Sequence, residues 1–184
     1  MSRFLEKLAV TYLRAKSIPL SPEPFSLPET LTDPRAIMVI MPSDSKEFEL
    51  ANEALKQIEI NFPRTKIFVC LNEIFRTWIP HPLIPRSIIV ETADFDMFSM
   101  PRKELVQRVQ ALNCDVAIDM NSQFNLSYAA VCARSGARMR ISFDKPDSHL
   151  FYNFVIRSAD PTKLAKRYDA LVKYLTSFGL PNYS

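Results

Sequence analysis

The sequence predicts one α/β domain, a parallel sheet with helices packed on both faces. Three observations predict it. Short unbroken apolar runs such as Ala36–Met41 have the make-up of strands buried on both sides. Between them lie longer stretches whose apolar residues recur every three or four positions, as in amphipathic helices. And 184 residues, 47% apolar and 23% charged, suit a single globular domain with a sizeable core. Strands that alternate with helices pair in parallel, because each must be reached through a crossover.

Taken in order, residues 2–16 are expected to be helical, with Phe4, Leu5, Leu8, Tyr12 and Leu13 sharing one face. Residues 17–35 carry Pro19, Pro22, Pro24, Pro28 and Pro34, which lack amide donors. This stretch reads as an extended linker or a strap over the domain. The domain itself is 36–184, after an amphipathic helix at 1–16 and the strap at 17–35.

Within it, Ala36–Met41 reads as a strand and Lys46–Asn61 as a helix with Phe48, Leu50, Ala51, Ala54, Leu55 and Ile58 inward. Lys66–Leu71 and Ser87–Glu91 are strands joined through the proline-rich stretch 78–85. Trp78 there is either a core residue or an exposed anchor. Pro101–Leu112 reads as a helix opened by its proline. Asp115–Asp119 is a strand, Phe124–Arg134 a helix, Arg138–Phe143 a strand and Phe151–Ile156 a short extended segment. Asp160 caps a last helix that Pro161 opens and Gly179 closes.

Charge and composition exclude several functions. Residues 1–16 hold four bases (Arg3, Lys7, Arg14, Lys16) and one acid (Glu6), which accounts for the whole formal charge of +3. A neutral main domain is a poor partner for nucleic acid. Cys70, Cys114 and Cys132 have no CxxC spacing, and His81 and His149 stand far apart, so no metal site is expected. The cysteines read as buried free thiols. No apolar run is long enough for a membrane span, and the start lacks the unbroken apolar stretch of a signal peptide. The expected location is the cytoplasm, with the inner face of the cytoplasmic membrane as the place of any lipid contact through residues 1–16.

Glycine is scarce. Gly136 and Gly179 stand alone beside fourteen prolines. Domains of this class grip phosphates with glycine-lined turns, where bare backbone meets the ligand. None exists here, and no cofactor is expected.

Three segments together carry a resemblance. The first is Ile37–Ile40, with Asn61-Phe62-Pro63 and Lys66–Val69 beyond the next helix. The second is Asp115-Val116-Ala117-Ile118-Asp119-Met120-Asn121, followed by Ser135-Gly136-Ala137-Arg138-Met139-Arg140-Ile141-Ser142-Phe143. The third is Lys166-Arg167-Tyr168 with Leu171 and Phe178-Gly179-Leu180. Over about residues 36–180 the chain resembles the N-terminal half of glycosyltransferase family 9, the ADP-heptose:lipopolysaccharide heptosyltransferases. The resemblance implies a Rossmann-like domain similar to the N-terminal domain of a GT-B enzyme. It also implies a catalytic base after the first strand, which aligns with Lys46-Glu47 where the family has Gly-Asp. Ser122 and Ser142 replace two further family glycines. The chain stops where the family's second domain, holder of most of the nucleotide-sugar site, would begin.

Candidate site residues follow. Glu47 is the candidate base; its alternative is a first-turn acid at a helix capped by Ser43 or Ser45. Ser43, Asp44, Asp119, Asn121 and Ser122 are candidates to line a crevice that holds a sugar; they are also ordinary turn formers. Arg134, Arg138, Arg140 and Lys145 form a local basic group. Arg138 and Arg140 share strand parity and are candidates for an anion or a partner, against plain edge-strand solubility. Lys163, Lys166, Arg167 and Lys173 read as the solvated side of the last helix. Phe4, Leu5, Leu8 and Tyr12 are candidates to dock on a partner, on a membrane surface or back on the domain.

The expected function is a shortened, non-catalytic heptosyltransferase-like subunit that associates with other proteins or with itself. The alternatives are the acceptor-binding half of a split glycosyltransferase and a peripheral membrane accessory protein.

Overall fold

A computed structural model describes residues 27–160 and 162–179. The expected helix at 2–16, with Phe4, Leu5, Leu8 and Tyr12, lies outside the described residues, as does most of the strap. Among the described residues six strands form one parallel sheet: β1 (Ala36–Ile40), β2 (Lys66–Asn72), β3 (Ser87–Val90), β4 (Val116–Asp119), β5 (Met139–Phe143) and β6 (Phe154–Ile156). Their spatial order is β3-β2-β1-β4-β5-β6. The sequence Ala-Ile-Met-Val-Ile has no polar side chain, and its strand lies between β2 and β4 with every residue buried.

Alternation along the strands divides the core in two. Ile37 and Val39 of β1, Val116 and Ile118 of β4, and Met139, Ile141 and Phe143 of β5 face one helical layer. It is made by α1 (Leu27–Thr32), α2 (Ser45–Asn61) and α5 (Leu164–Gly179). Met38, Ile40 and Ala117 face the other, made by α3 (Lys103–Gln110) and α4 (Leu126–Arg134). Phe48, Leu55 and Ile58 of α2 are fully buried on the first face, as their spacing requires. Gly136 follows α4 with φ of 81°, a left-handed conformation that glycine takes at little cost.

The structure corrects or settles several of these expectations. The strap is not extended throughout: α1 occupies 27–32, with Pro28 in its first turn, where no amide donor is needed. Its Leu31 is buried, and the helix packs against α5. Helix α3 starts at Lys103, because Pro101 is instead bridged to Phe95, closing a loop. In that loop Asp96 Oδ1 accepts from the amides of Phe98 at 2.8 Å and Met100 at 3.0 Å. Helix α5 starts at Leu164, since Asp160 closes a turn by accepting from Thr162 N and Oγ1. Strand β5 is not an edge, because β6 pairs with it. Trp78 is 44% exposed, with edge-on ring contacts to Phe48 and Phe75, so it sits at the margin of the core.

Cys70, Cys114 and Cys132 are buried free thiols. Burial pushes Cys70 and Cys114 up to about 12 and Cys132 higher still, so none is a ready nucleophile. No described helix is long and apolar enough to cross a membrane.

Arg35 and Asp115 join the first and fourth strands at their entrances. Arg35 N lies 2.8 Å from Asp115 Oδ2, and Arg35 Nη2 lies 2.7 Å from Oδ1. Partial burial raises the Asp115 pKa, but the Arg35 hydrogen bonds outweigh it, and the net shift is downward. A depressed carboxyl adds stability above its unfolded pKa, and that stability is lost as pH falls through the folded value. Asp115→Asn is therefore expected to flatten the pH dependence of stability below about pH 4 and to leave its shape at neutral pH unchanged. Urea melts of both proteins across that range measure it; parallel acid limbs would refute the assignment.

Candidate functional site

Strand β1 leads into α2 on one face of the sheet, and neighbouring β4 leads into α4 on the other. Where crossovers part in this way, a crevice opens beyond the carboxyl ends of the strands, the usual ligand position in such sheets. The candidate residues after β1 and β4 lie there.

Asp44 caps α2, its Oδ1 accepting from Glu47 N at 3.0 Å. Neither Ser43 nor Ser45 is the cap. Glu47, in the first turn, is 7% exposed and points across the crevice. Its Oε1 accepts from Ser122 N at 2.6 Å and lies 3.0 Å from the Tyr168 hydroxyl. That hydroxyl also lies 2.6 Å from Met120 O, so one phenolic proton is shared between two acceptors. Arg167 Nη1 donates to Ser122 O at 2.9 Å, so it is not merely a solvated charge of the last helix. Together α2, α5 and the turn after β4 are laced shut. Burial first, and the Glu47 charge second, drive the Tyr168 phenol far above its ordinary pKa, so it stays protonated.

Asp119 ends β4 and is fully enclosed. Its Oδ1 accepts from Asn121 N at 3.0 Å and Asn121 Nδ2 at 2.7 Å. Its Oδ2 pairs with Lys145 Nζ at 2.8 Å and accepts from the Tyr152 hydroxyl. Lys145 Nζ also donates to Asn121 O at 2.8 Å and lies over the Tyr152 ring. Ser142 Oγ reaches Asp119 O at 3.3 Å. Burial, then the Asp119 charge, raises the Tyr152 pKa well above the usual value. The carboxylate thus holds four donors, a complete set for a buried anion.

The structure brings together Glu47 with Ser122, and Asp119 with Asn121, but as two internal knots. It sends Ser43 elsewhere. The basic group is dispersed: Lys145 is buried against Asp119, and Arg138 is exposed ahead of β5. Arg140 is 3% exposed, so the two do not present one accessible basic surface. The guanidinium donates to Phe151 O at 3.0 Å and Ala137 O at 3.4 Å, while its Nη2 has no partner among the described residues. Burial lowers its pKa. Sequence reasoning missed Tyr152 and the roles of Tyr168 and Lys145. A tyrosine on an apolar helix face gives no sign of where its hydroxyl ends.

Ser43 opens instead on a cleft of about 480 Å³ beyond β2 and β3. Asn72, Glu91 and Thr92 line it from the strand ends, Phe95, Asp96 and Met97 from the bridged loop, and Asn125, Ser127 and Tyr128 from the start of α4. Asn125 caps that helix, accepting from Tyr128 N at 3.3 Å. Tyr128 is 6% exposed, and burial, with smaller contributions from Cys70 and Asp119, holds its phenol up at about 12. A second groove, about 540 Å³, runs between α2 and α5. Among the described residues no group of His, Cys, Asp and Glu could hold a metal ion.

A Rossmann-like α/β domain, with the strand order of dinucleotide-binding folds and an internally tied switch point, is the class these features define. The chain belongs to DUF6913, a family of unknown function, whose profile matches residues 21–178. No curated protein sequence matches it. Among solved structures it is similar to E. coli heptosyltransferase WaaC with ADP-2-deoxy-2-fluoro heptose, at a TM-score of 0.60 and 20% identity. The likeness covers 81% of this chain and 50% of that one. It is a likeness of fold, that of one domain of a GT-B glycosyltransferase.

Proposed function

We propose that this chain is a non-catalytic, heptosyltransferase-like binding or structural subunit that acts by associating with other proteins. One observation carries the reading: Glu47, aligned by resemblance with the base of the heptosyltransferases, is buried and spends its Oε1 on Ser122 N at 2.6 Å and the Tyr168 hydroxyl at 3.0 Å. A general base must reach a substrate proton. A carboxylate that closes the crevice from inside serves the fold instead. The enclosed Asp119 supports the same reading, since its acceptor sites are filled by the protein's own donors.

Incubation of the purified protein with ADP-sugars and candidate acceptors, followed by mass spectrometry, tests the proposal. No transfer product is expected. Turnover that Glu47→Gln abolishes would overturn it.

A second reading, the acceptor-binding half of a split glycosyltransferase, is favoured by the open cleft beside Ser43. In that case the protein co-purifies with a nucleotide-binding polypeptide, and transfer needs both.

A further inference from the structure

We propose that the cleft beyond β2 and β3 is a binding site for a small hydroxylated organic ammonium, of the amino-sugar class. The inference is separate from the subunit reading above and uses residues the tied switch point does not.

The chemistry of the lining selects the ligand. Tyr128 is more than nine-tenths buried and lines the cleft, yet its hydroxyl makes no hydrogen bond among the described residues. Its hydroxyl is not among the enclosed unpartnered atoms, so it opens on the cleft, where a ligand that donates or accepts can meet it. The hydroxyls of Ser43 and Ser127, on two other walls, also make no hydrogen bond among the described residues. These three groups can each donate and accept, as a hydroxylated ligand requires.

Charge supplies the second selection. Glu91 and Asp96 are exposed on the cleft wall, and neither has an ion-pair partner among the described residues. Asp96 spends Oδ1 on two backbone amides, which fixes the carboxylate in place and leaves Oδ2 for a ligand. Among the described residues no Lys, Arg or His lines the cleft. Two carboxylates without a counter-cation repel phosphate and attract an ammonium. Phe95, half-buried on the wall, adds an aromatic ring, a residue type that suits a cation or the C–H face of a sugar ring. A nucleotide or a sugar phosphate is a poor fit on the count of charge.

The test uses the full chain, with isothermal titration calorimetry and amide NMR shifts. The probes are glucosamine, glucose, glucosamine 6-phosphate and ADP. Glucosamine is expected to bind and to shift amides at Ser43, Glu91 and Tyr128. Glucose should bind more weakly, and the two phosphorylated probes should leave these amides unmoved. Tyr128→Phe, which keeps the buried ring, should weaken glucosamine about fivefold, the size of one hydrogen bond. Glu91→Gln should weaken it about threefold, an effect that added salt reproduces in the parent protein. Both variants should melt as the parent does. Glucose binding as tightly as glucosamine, a phosphorylated probe binding in the cleft, or no binding of glucosamine would each overturn the proposal. Failure here leaves the transfer assay on Glu47 unaffected, so the two readings stand or fall apart.

Discussion

Lys145→Ala is expected to lower the free energy of unfolding by about 3–5 kcal/mol, the usual cost of stranding one member of a buried ion pair. Its side chain is 1% exposed and that of Asp119 is fully buried, with Nζ and Oδ2 2.8 Å apart. Removing the ammonium leaves a carboxylate that water cannot reach, held only by Tyr152 and Asn121. It also frees Asn121 O, which Lys145 now satisfies. Lys145→Met keeps most of the stem, so a similar loss there assigns the effect to charge rather than packing. Asp119→Asn combined with Lys145→Met should recover most of the stability, because no unpaired charge is left behind. Urea unfolding of the three variants measures this. A loss under about 1 kcal/mol in Lys145→Ala would mean that the pair opens to solvent in solution.

Glu47→Ala is expected to cost about 2–3 kcal/mol, through the orphaned Ser122 amide and a Tyr168 hydroxyl with one acceptor fewer. Glu47→Gln retains an acceptor oxygen at Oε1 and should cost about 1 kcal/mol or less. The contrast separates the two roles considered for this residue. A carboxylate held ready for a substrate is commonly dispensable for stability, and its removal can even stabilise. One that ties α2 and α5 to the turn after β4 is not. Thermal and urea melts of both variants decide it, and equal stability of Ala, Gln and parent proteins would return Glu47 to the candidate bases.

The fold was legible because period and apolarity are properties of short segments. Ala36–Ile40 reads as a doubly buried strand from its own five residues, and it lies between β2 and β4. The face of α2 was equally plain, since Phe48, Ala51, Leu55 and Ile58 follow the helical period and are buried. Boundaries were less so. Pro101 suits a helix start in isolation, but its pairing with Phe95 is a contact between residues on either side of a turn. Pro28 reads as a breaker among many prolines until α5 gives α1 a surface to pack on.

The residues around the switch point were legible only in part. Glu47, Asp119, Asn121 and Ser122 do gather at the carboxyl ends of β1 and β4, as strand order requires. Their partners arrive from far along the chain: Tyr168 stands 121 positions after Glu47, and Tyr152 stands 33 after Asp119. Arg138 and Arg140 have matching parity, yet one precedes the strand and is exposed while the other is buried inside the second layer.

By itself the sequence determined the class of fold, the order of its strands and helices along the chain, the buried faces and the lack of a glycine-lined phosphate turn. Each is a matter of local period or of residue type. The tertiary structure alone decided whether a carboxylate at a strand end faces solvent or the interior. That choice depends on which distant donors reach it, because a buried charge is stable only where its hydrogen bonds and counter-charge are supplied, and here α5 and the turns around β5 and β6 supply them.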